Sequence, residues 1–281
     1  MAQGSRARQN ETPAPRPAAL TPRRYTEDNQ MDPLSRFSSL VRSGLRFRKH
    51  FELAKTRIGA DGLTWYPYDS FTNLFPMERL RRESRLSLAS MIGDRPVLDI
   101  GTADGALAFL FESLGHAVHA CDHADTNMNR MDGVRRLAVA LNSRVQINDI
   151  DLDGGWVPER DYGLAIFLGT LYHLKNPFGV LERLSRHARY CFLSTRIAGW
   201  SADHQVELGR VPVAYLLAPD ECNNDVTNYW VFSPPGLARL AERCGWRVLA
   251  SLRTGAQVSD PSTGAGDERQ FLLLESSRLS A

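Results

Sequence analysis

The stretch Val97-Leu98-Asp99-Ile100-Gly101-Thr102-Ala103-Asp104-Gly105 decides the fold. A short, mostly apolar run enters a turn bounded by two glycines, and an apolar helical pattern over 106–114 follows at once. A strand that ends in a glycine turn at the start of a helix belongs at the carboxyl edge of an open α/β sheet, where ligands bind. Gly101 and Gly105 let the backbone turn tightly and approach a ligand with no Cβ in the way. Asp99 adds a carboxylate suited to an ammonium or hydroxyl group.

Outward from this turn, short apolar runs alternate with helical segments. They predict strands at 97–100, 117–121, 145–148, 164–168, 190–194, 247–252 and 271–275. The last two are joined by Gly, Ser and Asp residues with no helical pattern, which predicts an antiparallel hairpin at one edge. The expected fold is α/β: a Rossmann-like, seven-stranded, mostly parallel sheet. Residues 199–233, between the fifth strand and a helix at 235–244, form an insertion too long for an ordinary connection and are expected to cap the substrate.

Before residue 96 the pattern changes. Phe37, Leu40, Val41, Leu45, Phe51 and Ala54 recur at helical spacing, and a second helix is expected at 76–92. Between them lies an aromatic, proline-broken loop containing Trp65 and Tyr68. The expected organisation is a disordered Pro- and Arg-rich tail at 1–33, a helical extension at 34–95 and a catalytic domain at 96–281.

Composition narrows the function. The 281 residues carry a net charge of +2, yet 34–95 holds twelve Lys/Arg against six Asp/Glu. Such a basic stretch suits either an anionic partner such as RNA or a solvated face. Cys121, Cys191, Cys222 and Cys244 form no C-x-x-C pair, so no zinc site, other metal site or disulfide framework is expected. With no apolar leader and no run of about 18 apolar residues, a soluble cytoplasmic protein without a membrane partner is expected.

Asp122 stands 23 residues after Asp99, at the end of the second expected strand. There a carboxylate can accept from both ribose hydroxyls, or cap the next helix. Asp149 and Ile150 end the third strand and suit the adenine amino group and ring, although Asp149, Asp151 and Asp153 also read as turn residues. A nicotinamide-dependent oxidoreductase is disfavoured: the glycine spacing is G-x-x-x-G rather than G-x-G-x-x-G, and Asp99 would repel a pyrophosphate.

The run 97–105 resembles motif I of class I S-adenosylmethionine-dependent methyltransferases, and Asp122 matches their ribose-binding acid. The resemblance covers about 96–276 and departs at Ala103, where many members have glycine. Leu171-Tyr172-His173, the aromatic loop 65–70 and Asn228-Tyr229-Trp230 are similar to the broad group around the tRNA wobble-uridine carboxymethyl-transferring enzymes. The resemblance implies S-adenosylmethionine held by Asp99, Gly101, Thr102, Gly105, Asp122, Asp149, Ile150 and Leu168. It makes His173 a candidate base or a turn histidine, and Tyr172 an acceptor-orienting or packing residue. Trp65, Tyr68, Tyr229 and Trp230 either line the acceptor pocket or pin loops to the core. The wobble-uridine enzymes hold a carboxylated cofactor with basic residues; Tyr172 matches one family contact, no basic partner aligns, and ordinary S-adenosylmethionine is expected. A hydroxyl or amine of a small-molecule acceptor is expected, with tRNA modification and non-catalytic cofactor binding as the alternatives. Oligomeric state is not encoded in these patterns.

Overall fold

A computed structural model describes residues 38–59, 62–255, 259–261 and 267–279. The expected tail at 1–33 lies outside the described residues. Five parallel strands run in the order β3-β2-β1-β4-β5: β1 (Val97–Ile100), β2 (Val118–Asp122), β3 (Gln146–Asp149), β4 (Tyr162–Leu168) and β5 (Ala188–Ile197). The expected edge hairpin forms from β8 (Trp246–Gly255) and β9 (Glu268–Ser276), with β9 antiparallel to β5 and β8 outside it.

Among the described residues the sheet has nine strands rather than seven. The additional two lie in the insertion: β6 (Ala214–Leu216) pairs antiparallel with β7 (Trp230–Phe232), and β7 joins the carboxyl end of β5 through Ile197 and Phe232. Each is three residues long, too short for an alternating pattern to show. The insertion thus extends the sheet beyond β5.

Alternation along the central strands sorts side chains into two cores. Leu164 and Ile166 of β4 join one cluster; Ala165 and Phe167 join the other. The first packs against α1 (Ser39–Ile58), α2 (Leu74–Glu83) and α4 (Ala106–Ser113), through Phe51, Leu74 and Phe109 among others. The second packs against α6 (Pro177–Leu184) and α7 (Pro234–Arg243), through Leu181 and Leu237. The N-terminal extension therefore shares a core with α4, the helix that follows the glycine turn.

The single helix expected at 76–92 is two, α2 and α3 (Leu88–Ile92). Arg85 adopts φ +56° between them. Ser87 then starts α3 with a reciprocal cap: its Oγ accepts from the Ser90 N–H at 2.9 Å, and the Ser90 Oγ accepts from the Ser87 N–H at 3.1 Å. Serines that satisfy the backbone locally compete with helix continuation. The remaining helix of the domain, α5 (Asp132–Ala140), adds Val134 and Leu137 to the first core.

The end of α3 lies directly on β4, where a Cβ at Gly163 would overlap the Ile92 carbonyl oxygen. Gly163→Ala is expected to destabilise the protein by about 1–3 kcal/mol, because backbone rather than a mobile side chain must move. Urea denaturation checks this, and an unchanged midpoint would refute so close an approach.

Candidate functional site

β1 delivers Asp99 into the interior, where it is only 4% exposed. The Thr102 hydroxyl donates to its Oδ2 at 2.7 Å. Burial pushes its pKa up to about 6, against the pull of that hydrogen bond. The turn after it is held by the Cys121 carbonyl, which accepts from the Gly101 and Thr102 N–H groups at 2.9 and 3.2 Å. Gly101 has φ +70°, and a Cβ there would overlap the Thr170 hydroxyl. Gly105 has φ +85°, and a Cβ there would crowd Phe109 and Val134, so this glycine serves the docking of α4.

Ala103, where the family resemblance leads one to expect glycine, also lies in the left-handed region at φ +53°. That conformation costs an alanine about 1–2 kcal/mol. It also aims the Ala103 N–H at Asp122 Oδ2, 2.8 Å away, a charge-assisted bond that offsets the strain. Asp122 Oδ1 accepts from the His123 N–H at 2.9 Å. Each carboxylate oxygen thus has one backbone donor and further acceptor capacity. Burial raises the Asp122 pKa, with the backbone donors opposing.

The β2–β3 register sets Asp149 beside Asp122. Asp149 is exposed and accepts from the Ala124 N–H at 2.9 Å, while Ile150 is half-buried and donates its N–H to the Asp122 carbonyl at 2.8 Å. The neighbouring acids do other work: Asp151 accepts from the Asp153 N–H, and Asp153 accepts from the Lys175 and Asn176 N–H groups. One cleft is lined by Asp99, Gly101, Thr102, Leu107 and Leu168 together with Ser70 and Asn73. Ser70 and Asn73 bound a 3-10 turn of the N-terminal extension; Ser70 ends the aromatic loop singled out in the sequence, whereas Asn73 carries no sequence signal.

Asp104 was also missed. It is 4% exposed and accepts three bonds: Lys55 Nζ at 2.8 Å, the Tyr66 N–H at 3.0 Å and Asn129 Nδ2 at 2.9 Å. Lys55 lies over the Phe51 and Trp65 rings, 5.1 and 5.0 Å from their centroids. Trp65 donates its indole N–H to the Gly59 carbonyl, and the Tyr66 hydroxyl accepts from the Met128 N–H at 3.0 Å. Burial pushes the Tyr66 hydroxyl up to about 12. Trp65 therefore joins the network that pins the aromatic loop, whereas Tyr68 stands 74% exposed.

A second group gathers after β4, at the turn Leu171–His173. The Tyr172 and His173 rings lie 4.2 Å apart. His173 Nδ1 is 3.0 Å from Thr227 Oγ1 and 3.2 Å from the Thr227 carbonyl oxygen. Burial lowers the His173 pKa, opposed by Asp225. Tyr229 donates its N–H to the Tyr172 carbonyl at 2.8 Å, and Trp230 donates its indole N–H to the Lys175 carbonyl at 3.4 Å. Tyr229 thus meets the Tyr172–His173 turn and Trp230 meets Lys175 just after it, while Trp65 bonds elsewhere. Arg269, also missed, stacks its guanidinium over the Tyr172 ring at 5.7 Å and pairs with Asp267 at 3.1 Å. Among the described residues no His, Cys, Asp and Glu cluster is arranged to hold a metal ion, and no helix is long and apolar enough to cross a membrane.

The sequence pattern of the family described as "Methyltransferase domain" matches residues 68–251. No curated protein sequence matches the chain. Among solved structures, a putative methyltransferase from Bacillus halodurans superposes with a TM-score of 0.52 at 13% identity, over 72% of this chain and all of that one. The N-terminal domain of EvdMO1 with SAH bound superposes with a TM-score of 0.50 at 15% identity, over 83% of this chain and 97% of that one. At such identities the likeness is one of fold.

The buried Asp99 carboxyl has a testable signature. Its folded pKa lies above its unfolded value, so the stability it permits is full below about pH 4 and is lost as pH rises through about 6. Asp99→Asn is expected to be more stable than the parent above pH 6 and to flatten that part of the curve, read by urea denaturation across the range. Parallel curves for the two proteins would show that Asp99 does not titrate as a buried acid.

Proposed function

This chain belongs to the methyltransferase-domain family, and from that premise we propose that it moves a methyl group from S-adenosylmethionine to a hydroxyl or amine of a small-molecule acceptor. The observation that carries the reading is the pairing, on one carboxyl edge of the sheet, of the Asp99–Asp122 turn with the Tyr172–His173 turn.

The residues present fit the cofactor. The Asp122 oxygens, each anchored by one backbone N–H, keep acceptor capacity for ribose hydroxyls. Asp99 is a buried carboxyl lining a cleft, held by the Thr102 hydroxyl, and it suits the ammonium of the amino acid moiety. Asp149 suits the adenine amino group, Ile150 the ring face, and Leu107 and Leu168 an apolar wall. In this reading the extension at 34–95 closes the cofactor side, 96–281 is the catalytic unit and 199–233 caps the acceptor. The four free, buried cysteines support a cytoplasmic setting.

S-adenosylmethionine supplies an activated methyl carbon on a sulfonium sulfur. The protein's part is alignment, exclusion of water and proton removal. His173, kept neutral by burial, takes the acceptor's proton; Tyr172, beside it, orients the acceptor. The insertion's Thr227 and Tyr229 bind this turn and its Trp230 binds Lys175 just beyond, so chain packs against the proposed acceptor residues, which favours a small acceptor.

Two alternatives have an observation each. Arg269 over Tyr172 gives that residue a basic neighbour, as carboxymethyl transfer from a carboxylated cofactor would require; Asp267 neutralises it, which favours the ordinary cofactor. The exposed face of α1 carries Arg48, Lys49 and Arg57, a feature shared with tRNA-binding surfaces, although Asp69 pairs with Arg48. A product whose mass rises by a methyl rather than a carboxymethyl group, and tRNA affinity that does not fall steeply with salt, separate the proposal from both.

Asp122→Ala is expected to weaken S-adenosylmethionine binding strongly in calorimetry with the circular dichroism unchanged; parental affinity would reject the ribose assignment. His173→Ala is expected to slow S-adenosylhomocysteine release across an acceptor panel by about 10²- to 10⁴-fold, with little loss of cofactor affinity. Parental turnover would remove His173 from the mechanism, and the parent's failure to release any S-adenosylhomocysteine would favour a non-catalytic binding protein.

A further inference from the structure

We infer that Asp225 and Thr227, both on the insertion, are positioning residues that hold His173 as its Nδ1–H tautomer and leave Nε2 as its proton-accepting nitrogen. The inference rests on the reading of His173 as the base. It follows from which groups can donate. Asp225 Oδ1 accepts from both the Thr227 N–H at 2.9 Å and the Thr227 hydroxyl at 2.6 Å. With its one proton committed to the carboxylate, Thr227 Oγ1 faces His173 Nδ1 as an acceptor, 3.0 Å away. The Thr227 carbonyl, 3.2 Å from the same nitrogen, can only accept. Both contacts require a proton on Nδ1.

The backbone around these residues is held against its own preference. Cys222, Asn223 and Asn224 lie consecutively in the left-handed region, at φ +52°, +71° and +53°, immediately before Asp225. Isolated residues adopt this conformation; three in series persist only where surrounding contacts impose it. Here the buried Asn228 donates its amide to the Cys222 carbonyl at 2.9 Å, and the buried Arg196 guanidinium donates to the Cys222 sulfur at 2.6 Å. Local strain is thus maintained in the segment that presents Asp225 and Thr227 to His173.

The relay gives the insertion a part in the chemistry. As the acceptor's lone pair forms the bond to the methyl carbon, the carbon–sulfur electron pair stays with sulfur and the acceptor's proton goes to Nε2. The resulting imidazolium donates from Nδ1 to Thr227, whose hydroxyl is polarised by the Asp225 carboxylate; the proton later leaves to water. Two charged groups bear on the imidazole: Asp225, which favours the cation, and Arg269, which disfavours it and also lies over the neighbouring Tyr172 ring. Removing the Asp225 charge therefore weakens the base and moves the acid limb of the kcat–pH profile to lower pH.

The test uses the full chain with ¹⁵N-labelled histidine, His173→Gln to assign the resonance, and S-adenosylhomocysteine release as the rate. The parent is expected to show Nδ1 protonated and Nε2 unprotonated. Thr227→Val is expected to lower kcat by roughly three- to tenfold, the worth of one hydrogen bond, at unchanged cofactor affinity, with Thr227→Ser restoring the rate. The isosteric Asp225→Asn is expected to shift the acid limb down. A parent imidazole protonated on Nε2 overturns the inference. So does a Thr227→Val protein with the parent's kcat and pH profile when His173→Gln is inactive. If His173→Gln turns over like the parent, it is the base assignment that fails; the inference then falls as a statement about catalysis, whatever the tautomer.

Discussion

A buried carboxylate holds the cofactor-side half of this protein together. Asp104 is almost wholly removed from water, and a charge so placed is tolerated only where donors replace the lost hydration. The three donors come from three separate places in the chain: Lys55 on α1, the Tyr66 backbone in the aromatic loop and Asn129 after β2. Asp104 itself lies within the glycine turn. Satisfying this one group therefore sets the extension, the aromatic loop and the segment before α5 around the turn in a single arrangement. Lys55 is in turn covered by Phe51, a member of the first core, and by Trp65, half-buried against that core, so the ion pair sits beside the core's edge.

The consequence is a preorganised turn. Ala103 holds a left-handed conformation whose cost is offset by its bond to Asp122, and Asp122 gains a second backbone donor from His123. Asp99 remains at the floor of the cleft with one hydroxyl donor and a raised pKa. If Asp99 meets the cofactor's ammonium as proposed, binding returns the stability that its burial costs, which is the linkage expected of a buried acid whose counter-charge is supplied by a ligand.

What the sequence made legible follows the distance over which each feature is encoded. Strands β1, β4 and β5 and the glycine turn are written in contiguous residues, because strands buried on both faces read as apolar runs and a tight turn needs glycine at particular places. Asp122 was legible because its distance from Asp99 is set by the length of one βα unit. By contrast, the break between α2 and α3 depends on two serines capping each other, a choice indistinguishable in sequence from two polar helix positions. β6 and β7 were hidden because three residues carry no period. Asp104 read as one more polar turn residue, since its partners stand 25 to 49 residues away.

The same rule separates the two sides of the site as proposed: the candidate cofactor residues are patterned locally, whereas the candidate acceptor residues Tyr172, His173 and Tyr229, though each stands out in the sequence, carry no signal of one another. Most of the candidate cofactor contacts lie on three consecutive βα turns, each with its own local pattern, so the chain spells them in order. The acceptor side joins Tyr172 and His173 from one turn, Asp225, Thr227 and Tyr229 from the insertion, and Arg269 from the hairpin. No pair of these elements is bound by a fixed spacing, and the strained run at Cys222–Asn224 that presents Asp225 has no sequence signature beyond two asparagines. On the proposed reading, cofactor binding is set by the turn geometry of the parallel sheet. On the same reading, acceptor choice follows from how one particular insertion packs on it, and so it can change while the sheet does not.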